Sequence, residues 1–454
     1  MNQPNPLQSR LRDWRELLQL AWPMLVGQVA QLAMGVADTI MAGAVGPIDL
    51  GAVAVGFSLW LPIYVFCIGV LSAVTARIAH AVGAGDRIEE AATLQQGLWL
   101  GIGLTLLSII VIVNGHLLLP AMQVDAALQP LCKIYLQGIA FGIPGLMLFQ
   151  VLRSLSDGNG RSKPVMLMQL IALLVNLPLN YVFIHGLFGA PKLGGAGCGW
   201  ATGCVMWLQL VLLAVHQRAR WYPMLFATGL RRPNRQRLTD LLRLGLPIGG
   251  AMFTETSIFA GAALLIGRLG ATVLAAHQIA LNYSALMFMV PASLGQALTV
   301  KIGHRLGAGD PQRARRFAGL GALTSILFAL SSAAVMLLFP HYIAAAYTPD
   351  QEVRALTAAI LVYSASFQLF DGLQVTAVGS LRGYHDTRMT MWITVIAYWG
   401  VGLPLGYLLG LTDVLGAARG VFGLWTGLIA GLAVAALLLN WRLAKISRGY
   451  LSTK

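Results

Sequence analysis

Long apolar stretches separated by short polar segments run through the whole chain. With glycine, proline and charge clusters as boundaries, the pattern predicts twelve apolar helices. They cover residues 17–42, 50–76, 94–114, 131–152, 164–187, 197–216, 241–267, 272–300, 317–339, 355–381, 389–410 and 421–441. A helix needs about 20 apolar residues to cross the hydrocarbon core of a bilayer. The pattern therefore predicts an all-α membrane protein with twelve transmembrane helices.

A ten-residue segment at the end of the second apolar stretch recurs in the second half of the chain. RIAHAVGAGD at 77–86 is matched by KIGHRLGAGD at 301–310, and LLQLAWP at 17–23 is matched by LLRLGLP at 241–247, both 224 positions later. Each copy contains six of the twelve helices, and an even number brings both copies into the membrane from the same side. The repeats are therefore parallel, as in many secondary transporters.

The repeat divides the chain into two pseudo-symmetric six-helix bundles. We expect an N-terminal lobe at 1–216, a cytosolic linker at 217–237 and a C-terminal lobe at 238–454. The linker is rich in arginine, which is typical of a solvated connection rather than a domain. Proline falls at matched places within spans, Pro23 with Pro247, and predicts kinks there.

The distribution of charge supports the assignment to a membrane. Hydrophobic residues make up 57% of the 454 residues and charged residues 11%, which leaves too little polar surface for a soluble globule. With the N-terminus inside, all but five of the 31 lysines and arginines fall on the inner side. By the positive-inside rule both termini are cytosolic, and we expect a bacterial inner membrane. The net charge of +14 is thus a positive-inside signal and not a nucleic-acid patch, and the same residues can also contact anionic lipids.

Three acidic residues stand inside predicted spans, whereas the other fourteen lie at loops or helix ends. Asp38 lies in AQLAMGVADTIMAG, Glu255 in GGAMFTETSIFAG and Asp371 in SFQLFDGLQV. A carboxylate at the centre of a bilayer costs on the order of 3 kcal/mol even on a lenient insertion scale. We therefore expect these side chains to face a hydrated interior, whose negative charge suits cations.

The two copies of the repeat match in their spans but differ in their charges. Each acid has a neutral counterpart in the other copy: Gln31 for Glu255, Ala262 for Asp38 and Met147 for Asp371. The first half offers Asp38 with the amides of Asn176 and Asn180, and the second half offers Glu255 and Asp371. We infer two distinct polar clusters, one in each lobe.

The two acids of the second half are suited to exchanging one cation for another. Burial favours the neutral form of a carboxyl group, and so does a second carboxylate nearby, so Glu255 and Asp371 can hold a proton near neutral pH. Alternatively, they bind Na⁺ with help from hydroxyl or carbonyl oxygens. Competition between a small cation and a larger cationic guest is the electrostatic basis of antiport.

The whole chain resembles the multidrug and toxic compound extrusion (MATE) family, NorM type. The resemblance is carried by LLQLAWP and VADTIMAG near the start, the paired decapeptides, AAHQIALNYSALMFMVP at 275–291 and QLFDGLQVTAVGSLRGYHDT at 368–387. It implies a secondary antiporter that exports cationic or amphipathic drugs in exchange for Na⁺ or H⁺ by alternating access. It implies neither an enzyme nor a cofactor other than the coupling ion. We expect this antiporter to be a monomer.

The resemblance also implies roles for particular residues. Cation coupling falls to Asp38, Glu255 and Asp371, which with Met287 also contact the substrate. Supporting polar side chains are Asn176, Asn180, Gln278, Asn282 and Tyr283. Glu255 and Asp371 would be the ligands if the coupling ion is Na⁺. Relatives that couple to Na⁺ can carry a tyrosine one turn before the acid of the tenth span, but Phe367 stands here and has no oxygen.

Two other functions fit part of the pattern. A flippase for lipid-linked sugars shares the wider fold, but its anionic substrates predict arginines in the cavity, which these spans lack. A membrane enzyme or scaffold would leave the acid-bearing repeat unexplained, and no metalloprotease, serine-hydrolase or ATP-binding motif occurs. The glycine-rich segment GGAGCGWATG at 194–203 follows no strand, so we expect helix entry and close helix packing there.

Overall fold

The computed structural model describes residues 6–226 and 231–452. In these two ranges the chain is helical and contains no β-strand. Twelve helical segments are long and apolar enough to cross a membrane. The predicted fold class is confirmed, because the described residues form helices without strands and supply the twelve expected spans.

Most of the helices extend beyond the apolar stretches from which they were predicted. The helices are α1 (Pro6–Val45), α2 (Pro47–Ala84), α3 (Arg87–Asn114), α4 (Gln129–Gly158), α5 (Lys163–His185), α6 (Gly197–His216), α7 (Arg218–Phe226), α8 (Arg235–Gly267), α9 (Ala271–Gly307), α10 (Pro311–Leu338), α11 (Pro340–Tyr347), α12 (Gln351–Gly383), α13 (Thr387–Val395), α14 (Leu403–Leu411) and α15 (Val421–Ser452). Of these, α6 has the predicted bounds, whereas α5 ends two residues earlier than predicted. A π-helical segment, Ile396–Gly402, joins α13 to α14, and the three together form the eleventh span.

The repeated decapeptide forms the same tight turn in both halves. Gly85 and Gly309 adopt left-handed backbone conformations, with φ of 70° and 71°. Asp86 then accepts hydrogen bonds from the backbone N–H groups of Ile88 and Glu89, and Asp310 accepts one from Arg313. Glycine tolerates positive φ and an aspartate satisfies free N–H groups at a helix start. The sequence repeat is thus a repeated helix end followed by a helix cap.

The chain forms two compact units, and the boundaries between them fall within α1 and α8. One unit consists of Met1–Leu25 and Gly250–Lys454, and the other of Val26–Gly249. Both boundaries lie two residues after a proline inside the helix, Pro23 in α1 and Pro247 in α8. Proline removes one backbone hydrogen bond and weakens a helix at that place. The first part of each of these two helices therefore packs with helices of the other sequence repeat.

Part of the predicted linker is helical and bonded to α3. The side chain of Gln95 donates to the carbonyl oxygen of Met224 at 2.8 Å, and Trp99 Nε1 donates to that of Arg231 at 3.1 Å. Gln96 accepts a hydrogen bond from the backbone N–H of Asn234 at 2.8 Å. These bonds attach the linker to one unit. The lobe boundaries taken from the repeat, with the linker at 217–237, stay a prediction.

Glycine allows the closest helix contacts in both units. A Cβ atom on Gly203 of α6 would overlap the carbonyl oxygen of Gly138 on α4, and one on Gly379 of α12 would overlap that of Gly295 on α9. Small residues let helix backbones approach this closely in membranes. The expected role of the glycine-rich segment is confirmed, because Gly194–Ala196 forms a 3-10 turn into α6 and Gly203 packs on α4.

An ion-pair network joins α1 to α9 and α10 in the unit that contains Gly250–Lys454. Asp13 is 1% exposed and pairs with Arg313, with Nη2 and Oδ1 2.5 Å apart, and with Arg316 at 3.2 Å. Glu16 pairs with Arg305 at 3.2 Å and with Lys301 at 3.8 Å. The start of α1 is thereby fixed beside the second copy of the decapeptide.

A related network joins α8 to α2 and α3 in the unit Val26–Gly249. Arg237 Nη1 lies 2.6 Å from Glu89 Oε2, and Arg77 lies 3.5 Å from Asp240 and 3.7 Å from Glu89. Arg237 and Glu89 occupy the repeat positions of Asp13 and Arg313, so the sign of this pair is reversed between the halves.

Candidate functional site

The first polar cluster surrounds Asp38 of α1, whose side chain is buried at 8% exposure. Asn180 Nδ2 of α5 donates to Asp38 Oδ1 at 2.6 Å, and Thr202 Oγ1 of α6 donates to Oδ2 at 2.9 Å. Asn180 Nδ2 also lies 3.1 Å from Asn176 Oδ1, one turn earlier on α5. The structure thus brings together the three residues grouped from the sequence and adds Thr202.

The Asp38 carboxylate is held by neutral groups alone. No lysine or arginine of the described ranges forms an ion pair with it, and its hydrogen-bond donors are an amide and a hydroxyl. The fully buried amides nearby retain unused capacity, since Asn176 Nδ2 and Asn180 Oδ1 find no hydrogen-bond partner among the described residues. A buried carboxylate without a cation favours binding of a positive guest or a proton.

The second polar cluster contains Glu255 of α8 and Asp371 of α12, which we call the acid pair. The two carboxylates lie close enough to interact electrostatically. Asp371 is 4% exposed, whereas Glu255 is half-buried. Within the described part of the chain, neither carboxylate has a hydrogen bond or ion pair to another side chain. Two negative charges side by side repel each other, so this pair gains from any cation that reaches it.

Tyr398 completes the acid pair and comes from the π-helical segment. Its side chain is 1% exposed, it interacts electrostatically with Glu255 and Asp371, and its hydroxyl group has no hydrogen-bond partner among the described residues. A π-helical turn is rare and often occurs at functional sites, because it rotates side chains relative to the rest of the helix. Pro404, which follows this segment, lacks the N–H of a regular helix.

Arg382 is the basic residue that acts electrostatically on the acid pair within the described ranges. It lies eleven residues after Asp371 on α12 and interacts electrostatically with Glu255 without forming an ion pair. The acid pair is therefore not locked to a cation, and a net negative charge remains. An arginine that reaches the edge of this cluster was not expected from the sequence.

The first half has neutral hydrogen bonds where the second half has the acid pair. Gln31, the repeat counterpart of Glu255, donates through Nε2 to the hydroxyl group of Tyr64. Gln169 Nε2 in turn lies 3.5 Å from Gln31 Oε1. The two units therefore differ in chemistry at matching positions, as the sequence comparison predicted.

The other residues implied by the resemblance lie on α9. Gln278 and Asn282 are exposed, and Tyr283 and Met287 are half-buried. Tyr283 is not among the groups that act electrostatically on the acid pair; within the described ranges its hydroxyl interacts with that of Tyr347. The roles of these four residues stay predictions.

Ser284, beside Tyr283, makes the contact with α12. Its hydroxyl oxygen lies 2.6 Å from Ser364 Oγ, and its carbonyl oxygen accepts a hydrogen bond from Gln368 at 3.0 Å. This buried serine pair holds α9 against α12.

Phe367 lies in an aromatic cluster one turn from Asp371. Its ring is edge-on to Phe259 at 6.0 Å and to Trp425 at 5.7 Å between centroids. This position therefore supplies packing and no ligand atom. Any Na⁺ ligation at the acid pair would rest on carboxylate, backbone or tyrosine oxygens.

The sequence did not single out Thr202 or Tyr398. Thr202 is 164 residues from Asp38, and a threonine near a helix start carries no charge signal of its own. Tyr398 lies in the middle of the eleventh span and carries no charge signal either. The signal for Tyr398 lay in YWGVGLP at 398–404, where two glycines and a proline make an irregular helix expected.

Comparison with solved structures places this fold among MATE transporters. An outward-facing multidrug resistance MATE family transporter of the MOP superfamily matches with a TM-score of 0.87 at 19% identity, over 98% of this chain and 100% of that one. The eukaryotic MATE transporter AtDTX14 matches with a TM-score of 0.85, also at 19% identity, over 97% and 98%. The shared feature at this identity is the fold.

Sequence comparison then identifies the family: the chain belongs to the MatE family, whose profile matches residues 23–182 and 247–408, once in each half. The chain is 46% identical to multidrug resistance protein PmpM of Pseudomonas aeruginosa, over 99% of this chain and 96% of that protein. It is 42% identical to multidrug resistance protein MdtK of Yersinia enterocolitica, over 96% of each.

Proposed function

We propose that this integral membrane protein is a secondary active multidrug efflux antiporter of a bacterial inner membrane. It exports cationic or amphipathic compounds in exchange for Na⁺ or H⁺ by alternating access, with both termini in the cytosol. Relatives of this family that carry the name multidrug resistance protein support this assignment. The protein works as a monomer among membrane lipids, without nucleic acid and without enzymatic chemistry.

The observation that carries the proposal is the acid pair, which lies within one helical unit and forms no ion pair with any described residue. A cation that arrives from outside neutralises Glu255 and Asp371, and this removes the attraction that holds a cationic drug. Release of the ion to the cytosol restores the negative charge, which then captures the next drug molecule. One electrostatic site thus couples the two movements in opposite directions.

A flippase for anionic lipid-linked sugars is the less favoured alternative. Such a substrate needs unpaired positive groups in the cavity, whereas both polar clusters here are centred on carboxylates. Arg382 is the one arginine acting on the acid pair within the described ranges, and its charge is outweighed by two carboxylates.

Glu255→Gln tests the proposal in proteoliposomes with imposed gradients. We expect ion-driven transport of a fluorescent cationic drug to fall by about tenfold, the size of a typical coupling between two ligands. Glu352→Gln, which changes an exposed acid at the start of α12, is the matched control and should transport like the wild type. Undiminished transport by Glu255→Gln would remove Glu255 from the mechanism and contradict the acid pair as the coupling site.

Sodium and pH gradients imposed separately identify the coupling ion. Drug movement driven by one gradient alone assigns that ion. Movement of a lipid-linked sugar without drug movement would favour the flippase instead.

A further inference from the structure

His277 of α9 is a buried imidazole that the proposed mechanism has not used. Its side chain is 0% exposed, and neither Nδ1 nor Nε2 has a hydrogen-bond partner among the described residues. Leaving a buried polar group without a partner costs about 1–3 kcal/mol. An apolar residue of the same size would avoid this cost, so the unpartnered imidazole needs an explanation other than packing.

The ring of His277 lies at the end of a row of aromatic side chains. Trp425 of α15 is edge-on to His277 at 5.8 Å between centroids, and Phe367 is edge-on to Trp425 at 5.7 Å. Phe259 of α8 follows at 6.0 Å from Phe367. Trp425 Nε1 also lacks a hydrogen-bond partner within the described ranges. Two neighbouring rings of this row therefore carry unused polar atoms.

This row leads from the acid pair towards the outer ends of the helices. Phe259 follows Glu255 by one turn on α8, and Phe367 precedes Asp371 by one turn on α12, about 6 Å along each helix. Because α8 and α12 run in opposite directions, both steps lead the same way, away from the arginine-rich ends. Under the proposed orientation that direction is outward.

His277 lies further in this direction, close to the outer end of its own helix. It is six residues after Ala271, the first residue of α9, which is about 9 Å along the axis. The imidazole is therefore placed between the outer solution and the acid pair, in the same compact unit.

No charged side chain of the described residues stabilises or opposes a proton on the His277 ring. Within the described part of the chain, no acidic or basic side chain of α8, α10, α12 or α15 acts electrostatically on His277, and burial is the one influence on the ring. A neutral imidazole accepts a proton at one nitrogen and donates one from the other. The imidazole can therefore pass a proton on without holding it permanently.

We propose that His277 is a proton-carrying residue of the antiporter, positioned between the outer solution and the acid pair. A hydronium ion gives its proton to the free ring nitrogen, the N–H bond at the other nitrogen breaks, and the released proton reaches a carboxylate of the acid pair through water. One proton moves inward and the imidazole returns to its neutral form. The inference rests on the proposed antiport function and assigns H⁺ as the ion that uses this route.

His277→Phe tests the role of the nitrogen atoms, because phenylalanine keeps a ring against Trp425. We expect proton-driven drug transport to fall by about tenfold or more, which is the lower range for loss of a proton-transfer group. Drug binding, and drug-for-drug exchange without a pH gradient, should remain at the wild-type level. His341→Phe, which changes an exposed histidine of α11, is the matched control.

The outcomes separate this inference from the proposed function. If the wild type responds to a sodium gradient and not to a pH gradient, antiport stands and the role of His277 is wrong. Retained proton-driven transport in His277→Phe also overturns it, and so does a parallel loss of binding, exchange and transport, which indicates a structural role. A wild type that moves no drug under either gradient contradicts the proposed function itself.

The fluorescence of Trp425 provides a second test of His277 protonation, and this test leaves His277 unchanged. A protonated imidazole quenches the fluorescence of an indole ring in contact with it. The protein contains 11 tryptophans, so the fluorescence of Trp425 is obtained by subtracting the signal of Trp425→Phe from that of the wild type. We expect this signal to fall reversibly when the outer pH of proteoliposomes is lowered, and a signal that stays constant would overturn the proposal.

Discussion

Reversing the Asp13–Arg313 ion pair tests whether the two halves hold their helices by equivalent contacts. Asp13 Oδ1 contacts Arg313 through Nε at 2.7 Å and Nη2 at 2.5 Å, and the carboxylate is 1% exposed. At the matching positions Arg237 replaces the aspartate and Glu89 replaces the arginine, 2.6 Å apart. The same backbone arrangement therefore accepts a pair of either polarity.

The expected magnitudes follow from this burial. Asp13→Arg should lower the free energy of unfolding by about 3–5 kcal/mol, because it removes a buried partner and places a third guanidinium beside Arg313 and Arg316. Arg313→Glu should cost a similar amount, since its carboxylate would face Asp13 and Glu16. The double variant restores opposite signs, so we expect a favourable coupling energy of about 2 kcal/mol. Arg316 still opposes the new arginine and prevents full recovery.

Unfolding of the purified protein in detergent, by heat and by denaturant, gives the coupling energy from the four members of this cycle. Arg316→Gln is the control, because its side chain is 40% exposed and its loss should cost at most about 1 kcal/mol. If the two single effects simply add in the double variant, the paired positions do not interact and the reasoning is refuted. The mirrored cycle, Arg237→Asp with Glu89→Arg, should give a coupling of the same sign.

Two further substitutions test the Asp38 cluster and the glycine contacts. Asn180→Leu removes one of the two hydrogen-bond donors to the buried Asp38 carboxylate. We expect the free energy of unfolding to fall by about 1–3 kcal/mol and drug transport to become slower. Transport at the wild-type rate would show that this hydrogen bond has no role. Gly203→Ala should cost about 1–3 kcal/mol because the added methyl group overlaps the carbonyl oxygen of Gly138. Gly35→Ala, which meets open space, should be neutral in the same thermal unfolding assay, and equal melting temperatures for both alanine variants would contradict the packing argument.

The helical architecture and the candidate acidic residues could be predicted from local signals. An apolar stretch of sufficient length must form a helix in a bilayer, because every backbone N–H and C=O group has to be satisfied within the segment. An acid inside such a stretch is costly, so Asp38, Glu255 and Asp371 were identifiable as candidates without any coordinates. The 224-residue repeat then showed which of their counterparts are neutral.

Contacts between helices far apart in the chain could not be predicted from local sequence signals. The hydroxyl of Thr202, the π-helical position of Tyr398 and the influence of Arg382 on Glu255 each depend on which helices pack together and with what rotation. The contact between α9 and α12 shows the same limit. One residue along α9 corresponds to about 100° of rotation, and Ser284 takes the contact with α12.

Hydropathy, charge asymmetry and internal repetition along the chain were enough to establish twelve spans, a duplicated architecture and three carboxylates at membrane depth. These are one-dimensional properties, because the bilayer imposes its constraint on each segment separately. Tertiary structure alone decided that the starts of α1 and α8 pack with the helices of the other repeat, and that His277 stands unpaired in an aromatic row beyond the acid pair. Both features arise from side-chain packing between segments far apart in the chain, for which no residue pattern in either segment provides a signal.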